Sequence, residues 1–345
     1  MKRIFFIPIL LLFLFGFFLW QEIYLPKDSN LTEEKLFLIE KGQNLFEIGE
    51  NLEKAELIKN KEAFQIYVIL IDCSGKLQAG TYSLSPSMSV SKIVKKLVLG
   101  DVAKEKITII EGWNLRDIGF YFENKGMFQA EELWELAGFP AVDYSKAKDL
   151  PLPKDFSLNY SFLKDKPQNT GLEGYLFPDT YEVNKGAGIE EIITKTLENF
   201  DKKLTSQLRE EIQKQNKSIF EIITMASLLE KEVVDLEDRK LVSGILWKRM
   251  ENYIPLQVDC TITYITGKKT TKVSKEETQI DSSYNTYLYR DLPLGPICNP
   301  GIDSILASIF PETSDYWYYL STPEGENIFS KILEEHNIAK AKYLK

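Results

Sequence analysis

The sequence predicts an α+β protein that carries a separate apolar helix at its start. Two observations support the α+β class. A short apolar run, a glycine and a helix-like segment occur in the same order twice before residue 140, and residues 218–234 have the nearly continuous apolar character of a buried helix. The 345 residues have room for two or three domains. A hydrophobic content of 44% with 27% charged residues is typical of a folded globular protein.

The first 25 residues predict an uncleaved membrane anchor. Lys2 and Arg3 precede an uncharged apolar run from Ile4 to Trp20, and about 17 residues is near the minimum length for crossing a bilayer. A cleaved signal peptide is the alternative, but no small-x-small cleavage site follows the run, and the run is longer than a usual signal core. Basic residues at the start predict a cytoplasmic N-terminus, with the chain from about Pro26 onward outside.

An internal repeat follows the predicted anchor. Apolar runs at residues 36–39 and 107–110 each lead to a glycine turn and then to apolar residues at helical spacing. Each copy therefore predicts a strand, a turn and a helix, and two copies are too few for a solenoid. The matching positions are Gly42, Asn44, Leu45, Ile48, Gly49, Leu52 and Glu53 in the first copy and Gly112, Asn114, Leu115, Ile118, Gly119, Phe122 and Glu123 in the second.

Residues 34–105 are predicted to form a small α+β module. The first copy of the repeat is followed by an apolar run at residues 64–71, a strand entry at residues 80–82 and a short helix at residues 90–99, which Gly100 ends. A module of this kind binds a polymer or packs beside a catalytic domain. A spacer without a ligand is the alternative.

Residues 106–345 are assigned to a second α+β domain, and its first part, residues 106–140, repeats the earlier unit. Residues 143–170 are polar and contain three prolines, which predicts a loop that acts as a hinge or a lid. Residues 171–181 combine two glycines, a proline and three aromatic rings, which indicates a rigid turn. Because rings stack on sugars as readily as they pack in cores, both interpretations of this turn stay open.

Charge and residue usage exclude several classes of function. The net charge of -9 argues against a nucleic-acid surface and favours a neutral or zwitterionic partner. The three cysteines have no C-x-x-C spacing and the single histidine is His336, so no local motif predicts a metal site. No nucleophile elbow, phosphate loop or dinucleotide fingerprint is present, and no cofactor is predicted. Cys260 and Cys298 could pair in an oxidising compartment, while carboxylate chemistry remains for catalysis.

Glu230 is the strongest candidate for that chemistry. Ser218 and Glu221 form a capping box that begins a helix, and apolar residues follow almost without a break. We expect an apolar face around Glu230, which would raise the pKa of its carboxyl group and let it act as a general acid. A solvated glutamate at the helix rim is the alternative. The neighbours at helical spacing are Ile223, Ala226, Val233 and Val234.

With these motifs in view, the chain resembles the YceG-like family of endolytic murein transglycosylases, which are anchored in the bacterial inner membrane. The N-terminal half is similar, more weakly, to the family's LysM-like region. The motifs that carry the resemblance are LEGYLFPDTY at residues 172–181, A-S-x-x-E-K-E at 226–232, L-Q-x-D at 256–259, Y-N-T-Y at 284–287, the proline-rich turn at 292–301 and the H-N pair at 336–337.

Three positions depart from the family pattern. Cys260 stands where the family usually has proline, and Leu294 replaces the second proline of the turn. Asn327 occupies the position of the histidine in the family's G-x-H-x-F motif. An amide can form hydrogen bonds but cannot titrate, so any step assisted by this histidine is in doubt, while a mechanism based on one glutamate is unaffected.

The resemblance implies non-hydrolytic cleavage of the β-1,4 bond between N-acetylmuramic acid and N-acetylglucosamine in nascent peptidoglycan strands. Glu230, the family's catalytic acid and base, would protonate the glycosidic oxygen and then accept the proton of the C6 hydroxyl that attacks C1. The product would carry a 1,6-anhydro end, which terminates elongation, and no metal or cofactor is needed. We expect eight other residues to bind substrate or hold the site together: Glu173, Tyr175, Asp179, Glu232, Gln257, Asp259, Asn285 and Asn327.

The resemblance also implies a setting and leaves two other classes open. It implies a single-pass protein of the cytoplasmic membrane whose catalytic domain, residues 106–345, is periplasmic and works beside peptidoglycan synthases such as penicillin-binding proteins. A lysozyme-like hydrolase would use Glu230 with water and leave a reducing end. A non-catalytic scaffold that binds the cell wall would keep the modules without needing Glu230.

The predicted topology is testable with a reporter. A protein that fluoresces only in the cytoplasm, fused after Lys345, should give a dark product in the membrane fraction, because the basic start holds the N-terminus inside. The same reporter fused before Met1 is the control and should fluoresce. A bright C-terminal fusion would reverse the orientation.

Overall fold

The computed structural model describes residues 6–270 and 272–344. Within these residues the chain forms thirteen α-helices and three two-stranded sheets, which confirms the α+β class. The fold divides into two compact units. The first runs through Ile107 and also includes Glu182–Ala187, and the second contains the remaining residues from Thr108.

The first helix, α1, spans Phe6–Tyr24. The predicted anchor starts at Ile4, so its basic start and first two residues lie outside the described residues. Many apolar side chains of α1 are exposed, including Leu12 and Phe13 at 70% and 72%. Among helices built from the described residues, none combines the length and the hydropathy that a membrane crossing requires.

The rest of the first unit packs three short helices and a two-stranded sheet around one core. Strands β1 and β2 pair antiparallel, with Lys35 opposite Leu84 and Ile39 opposite Gly80. The core contains Phe37, Ile48, Leu52, Phe64, Tyr82, Ile93 and Leu97, all buried. The elements are β1 (Lys35–Ile39), α2 (Leu45–Lys54), α3 (Lys61–Leu70), β2 (Gly80–Leu84) and α4 (Val90–Leu99).

Local signals explain where these elements begin and end. The Asn44 side chain accepts hydrogen bonds from the first turn of α2, and the Glu47 carboxylate accepts one from the Asn44 N–H, which completes a capping box. Helix α4 ends as predicted at Gly100, whose φ of 66° lies in the left-handed region that favours glycine. The apolar run at residues 64–71 lies in α3 up to Leu70, and Ile71 is the C-cap of that helix.

The second copy of the repeat has the predicted structure. Strand β3 (Lys104–Ile109) leads through a turn to helix α5 (Leu115–Asn124), and β3 pairs with β4 (Asp179–Asn184). Asn114 caps α5 with Asp117 as its capping-box partner, as Asn44 and Glu47 do for α2. The buried positions of the two helices match: Leu45, Ile48, Gly49 and Leu52 in α2, and Leu115, Ile118, Gly119 and Phe122 in α5.

The second unit is mainly helical and surrounds α9 (Ile219–Glu232), whose residues from Ile222 to Leu229 are all buried. The predicted capping box of Ser218 and Glu221 is confirmed. Residues 143–170 contain a single 3₁₀ turn, Ser161–Leu163, and otherwise form irregular structure. The other elements are α6 (Ala130–Ala137), α7 (Ile189–Lys203), α8 (Ser206–Lys214), α10 (Leu236–Glu251), α11 (Asp259–Thr266), a 3₁₀ turn (Glu277–Gln279), α12 (Ile302–Ile309), β5 (Tyr318–Ser321), β6 (Asn327–Ser330) and α13 (Leu333–Tyr343).

The two repeat caps predict a matched pair of stability effects. Asn44→Ala and Asn114→Ala each remove the side-chain acceptor of a helix N-terminus and should lower the free energy of unfolding by about 1 kcal/mol. Urea unfolding followed by circular dichroism measures the change. Asn44→Ser and Asn114→Ser keep a capping oxygen and should restore most of it, and serine variants as unstable as the alanine ones would contradict the capping role.

Candidate active site

Glu230 lies in the last turn of α9, and its side chain is only 9% exposed. Its Oε2 atom accepts hydrogen bonds from the Gly301 N–H at 3.0 Å and from the Ser304 hydroxyl at 2.7 Å. Gly301 is the N-cap of α12, so the carboxylate faces the positive end of that helix. Both interactions stabilise negative charge on Glu230.

Arg239 adds a positive charge to the same oxygen. Its guanidinium nitrogen lies 3.9 Å from Glu230 Oε2, and the arginine side chain is 10% exposed. The guanidinium also donates to the carbonyl groups of Val233 and Val234, at 3.0 Å and 3.3 Å, which anchors it at the end of α9. The arginine is therefore positioned by the backbone that follows Glu230.

The predicted apolar face around Glu230 is wrong in one of its four residues, Val234. Ile223, Ala226 and Val233 are buried, but Val234 is 94% exposed. Helix α9 ends at Glu232 and Val233 is extended, so Val234 is no longer at helical spacing from Glu230. The contacts found at the carboxylate itself are polar, from Gly301, Ser304 and Arg239.

A second carboxylate, Glu111, lies against the same helix N-terminus. A methyl group on Gly301 would overlap the Glu111 carboxylate, which shows how closely the two residues pack. Burial raises the pKa of Glu111, and the negative charges of Glu230 and Asp303 raise it further, while Arg239 lowers it. No motif in the sequence singled out Glu111, although it precedes the glycine of the second repeat.

Backbone hydrogen bonds hold the Glu111 turn in place. The Gly112 N–H donates to the Asn299 carbonyl at 2.9 Å, and the Asn299 N–H donates to the Trp113 carbonyl at 2.8 Å. Lys231 donates to the Gly112 carbonyl at 3.1 Å. Gly112 has a φ of 78°, a conformation that favours glycine, so the turn needs the residue that the repeat supplies.

Glu173 is a buried structural group rather than a residue that faces the site. Its carboxyl oxygens accept from the Leu115 N–H at 3.1 Å and from the Tyr264 hydroxyl at 3.0 Å, and the Asn299 amide approaches at 3.3 Å. Burial raises the pKa of Glu173 to about 8. These contacts join the predicted rigid turn, the start of α5 and the turn before α12.

Tyr175 packs in the core, which favours the core interpretation of the turn at residues 171–181 for this ring. It is fully buried beside Phe162 and Phe200, with ring centroids 6.0 Å and 5.3 Å away. Asp179 is exposed on β4 and accepts from the Asn199 amide at 3.0 Å. Neither residue hydrogen-bonds to Glu230 or to its partners among the described residues.

Glu232 and Asp259 form a second polar group with tyrosine partners. Glu232 accepts from the Tyr319 hydroxyl at 3.0 Å, and Asp259 accepts a short hydrogen bond from Tyr287. Burial raises the pKa of Glu232 more than the hydrogen bonds from Cys260 and Tyr319 lower it. The cysteine at the family's proline position is therefore a buried partner of Glu232, and both Cys260 and Cys298 are free thiols.

The three remaining candidates lie in local networks of their own. Asn285 is 1% exposed and donates to the carbonyl groups of Thr278 and Ile280, so it shapes a turn. Asn327 donates to Asp238 at 2.8 Å. Gln257 is exposed, and its φ of 52° is unusual for a residue other than glycine.

The structure thus gathers around Glu230 a set that the sequence analysis did not predict: Glu111, Arg239, Gly301 and Ser304. Gly301 lies within the proline-rich turn at residues 292–301. The two residues that it contacts, Glu111 and Glu230, are far from it in sequence. Within residues 6–270 and 272–344, no group of three or more His, Cys, Asp or Glu residues is arranged to hold a metal ion.

Comparisons with known proteins agree with these motifs. The model of the YceG-like family matches residues 37–342. An endolytic murein transglycosylase of Bacillus subtilis (strain 168) is 34% identical over 333 residues, which cover 96% of this chain and 90% of that protein. An endolytic murein transglycosylase of Streptococcus pneumoniae serotype 2 is 33% identical over 93% of this chain, which spans only 61% of that protein.

A solved structure is similar as well. The crystal structure of a YceG-like protein from Listeria monocytogenes at 2.6 Å resolution superposes with a TM-score of 0.58 and is 32% identical in sequence. The match covers 89% of this chain and 99% of that chain.

The raised pKa of Glu173 predicts a pH dependence of stability. Its folded pKa of about 8 exceeds the ordinary value of 4.5, so the folded state holds a proton that the unfolded state loses, and the free energy of unfolding should fall as pH rises between these values. Glu173→Gln removes this titration. Urea unfolding at several pH values should show a shallower decline for Glu173→Gln than for the unmodified chain, and equal declines would contradict the prediction.

Proposed function

The chain belongs to the YceG-like family, and from this membership we propose that it is a lytic transglycosylase that cleaves the glycan strands of peptidoglycan. The proposal rests on one observation, the burial and the hydrogen bonds of Glu230. It is a nearly buried carboxylate whose two hydrogen bonds both fall on Oε2. Among the described residues no hydrogen bond to Oε1 is found, so this oxygen is available for proton transfer.

In the first step, Glu230 gives its proton to the oxygen that joins N-acetylmuramic acid to N-acetylglucosamine. The bond breaks with oxocarbenium character at C1, and Glu230 becomes a carboxylate. Gly301, Ser304 and Arg239 then stabilise that charge, because their donors and positive charge already point at Oε2 before the reaction.

In the second step, the Glu230 carboxylate accepts the proton of the sugar's own C6 hydroxyl. The hydroxyl oxygen attacks C1, which closes the 1,6-anhydro ring and restores the proton on Glu230. No water is consumed. A lysozyme-like hydrolase is the second candidate, since Glu230 would activate water instead, and the two reactions differ by one water in the mass of the new end.

The setting of the reaction forms part of the proposal. The apolar run from Ile4 to Trp20, most of which lies in α1, anchors the chain in the cytoplasmic membrane. The N-terminus is in the cytoplasm and the catalytic unit is outside. The first unit then corresponds to a LysM-like module that holds the enzyme on the glycan, and cleavage beside a peptidoglycan synthase terminates a nascent strand. The resemblance to the family supports these points.

Replacing Glu230 tests the proposal. Glu230→Gln keeps the volume and an oxygen that can accept from Gly301 and Ser304, but it cannot transfer a proton, so turnover should fall by about 10²- to 10⁴-fold or more. The assay incubates purified peptidoglycan with the full chain in detergent and analyses the released glycans by mass spectrometry.

The matched control is Glu237→Gln, which changes an exposed glutamate in the first turn of α10. It should release as much product as the unmodified chain, and the product should end in 1,6-anhydro-N-acetylmuramic acid. Reducing ends in place of anhydro ends would identify a hydrolase. An active Glu230→Gln protein would remove Glu230 from the mechanism.

A further inference from the structure

The proposed mechanism needs a proton at the site before cleavage. The donors of Gly301 and Ser304 and the positive charge of Arg239 lie against Oε2 of Glu230, where they stabilise the negative charge that follows proton transfer. These contacts serve the second half of the reaction. Another group must therefore help to keep a proton at the site before cleavage.

Glu111 occupies the position that meets this requirement. Its carboxylate packs on Gly301, the residue whose N–H binds Glu230 at 3.0 Å. The turn that carries Glu111 is bonded to Asn299 two residues before Gly301, and Lys231, next to Glu230, is bonded to the Gly112 carbonyl. Separate contacts therefore hold both carboxylates, Glu111 and Glu230, against Gly301.

The charges around this point favour a shared proton. Glu230 comes from α9, Asp303 from α12 and Arg239 from α10, while Lys231 faces the carbonyl of the Glu111 turn. Glu230 and Asp303 thus add negative charge near Glu111, and Arg239 adds one positive charge. Burial and the charges of Glu230 and Asp303 raise the pKa of Glu111, so loss of the last proton from the pair is opposed.

We propose that Glu111 is a positioning residue for the catalytic proton: together with Glu230 it forms a carboxylate pair at the N-terminus of α12 that retains one proton until the glycan binds. This inference rests on the proposed function and deepens it. During cleavage the pair gives its single proton to the glycosidic oxygen and becomes doubly charged, and the proton of the C6 hydroxyl then restores it. The bound glycan would exclude water and strengthen the repulsion that drives proton release.

The test is the pH dependence of turnover. Activity requires the protonated pair, so it falls at high pH when the last proton is lost. Glu111→Gln removes the charge that opposes this loss, and the high-pH limb of the profile should move down by about one pH unit or more, since that is the scale on which coupled carboxylates interact. Activity at lower pH should be largely kept.

Two further variants separate charge from structure. Glu111→Asp keeps the negative charge. Its high-pH limb should therefore stay close to that of the unmodified chain and move by only a small fraction of the shift expected for Glu111→Gln. Glu123→Gln removes an exposed carboxylate from α5 of the same unit and should change nothing. An unchanged limb in Glu111→Gln, or a loss of activity by the same factor at every pH, overturns the inference.

A second measurement does not depend on activity. Burial and the neighbouring carboxylates raise the pKa of Glu111, so its ionisation opposes folding at neutral pH. Glu111→Gln should therefore raise the thermal unfolding midpoint at pH 7 and should raise it less at pH 4, where Glu111 is largely protonated in both states. A variant that unfolds at a lower midpoint at pH 7 contradicts the pair. If the unmodified chain releases no anhydro product, the proposed function fails, whereas this stability result still tests whether Glu111 is a buried carboxylate whose charge is disfavoured in the folded state.

Discussion

The hydrogen bonds from Gly301 and Ser304 to a single oxygen of Glu230 are the interaction on which the site depends. They join the last turn of α9 to the first turn of α12, which places a carboxylate at a positive helix end inside a buried core. Burial without these donors would oppose ionisation, and the donors without burial would act in water and contribute little. Together they place a nearly buried carboxylate where donors stabilise the negative charge that forms when its proton is transferred.

Near Glu230, the buried polar side chains Asn299 and Glu173 hydrogen-bond to the backbone of several turns. Asn299 donates to the Trp113 carbonyl and accepts from the Leu176 N–H, while Glu173 binds the start of α5. Each of these side chains ties together loops that are far apart in sequence. A buried polar group left without a partner costs about 1–3 kcal/mol, so the network fixes one arrangement of the turns that carry Glu111 and Gly301.

Local order was largely predictable from the sequence, because its causes are local. The capping box at Ser218, the end of α4 at Gly100 and the repeated strand, turn and helix each depend on residues within a few positions of one another. The end of α9 was not predicted correctly. Val233 and Val234 are apolar, but Val233 is extended and Asp235 is the N-cap of α10, so the helix does not continue through them.

The partners of Glu230 were beyond sequence reasoning for a different reason. Gly301 and Ser304 lie more than seventy residues away, and Glu111 belongs to a turn that the repeat predicts without indicating what it faces. Chemical type also gave no guidance for Tyr175 and Asn285, since the same ring or amide serves a core or a ligand equally well. Only the packing shows that these two side chains are used internally.

In the proposed reaction the C6 hydroxyl of the substrate, and not water, attacks C1 at Glu230. Cleavage of purified peptidoglycan in water enriched in oxygen-18 tests it most directly, because the origin of the oxygen at C1 of the new end is read from the mass of the product. Attack by the C6 hydroxyl leaves the released ends free of the label. Incorporation of one labelled oxygen per cleaved bond would show instead that Glu230 activates water.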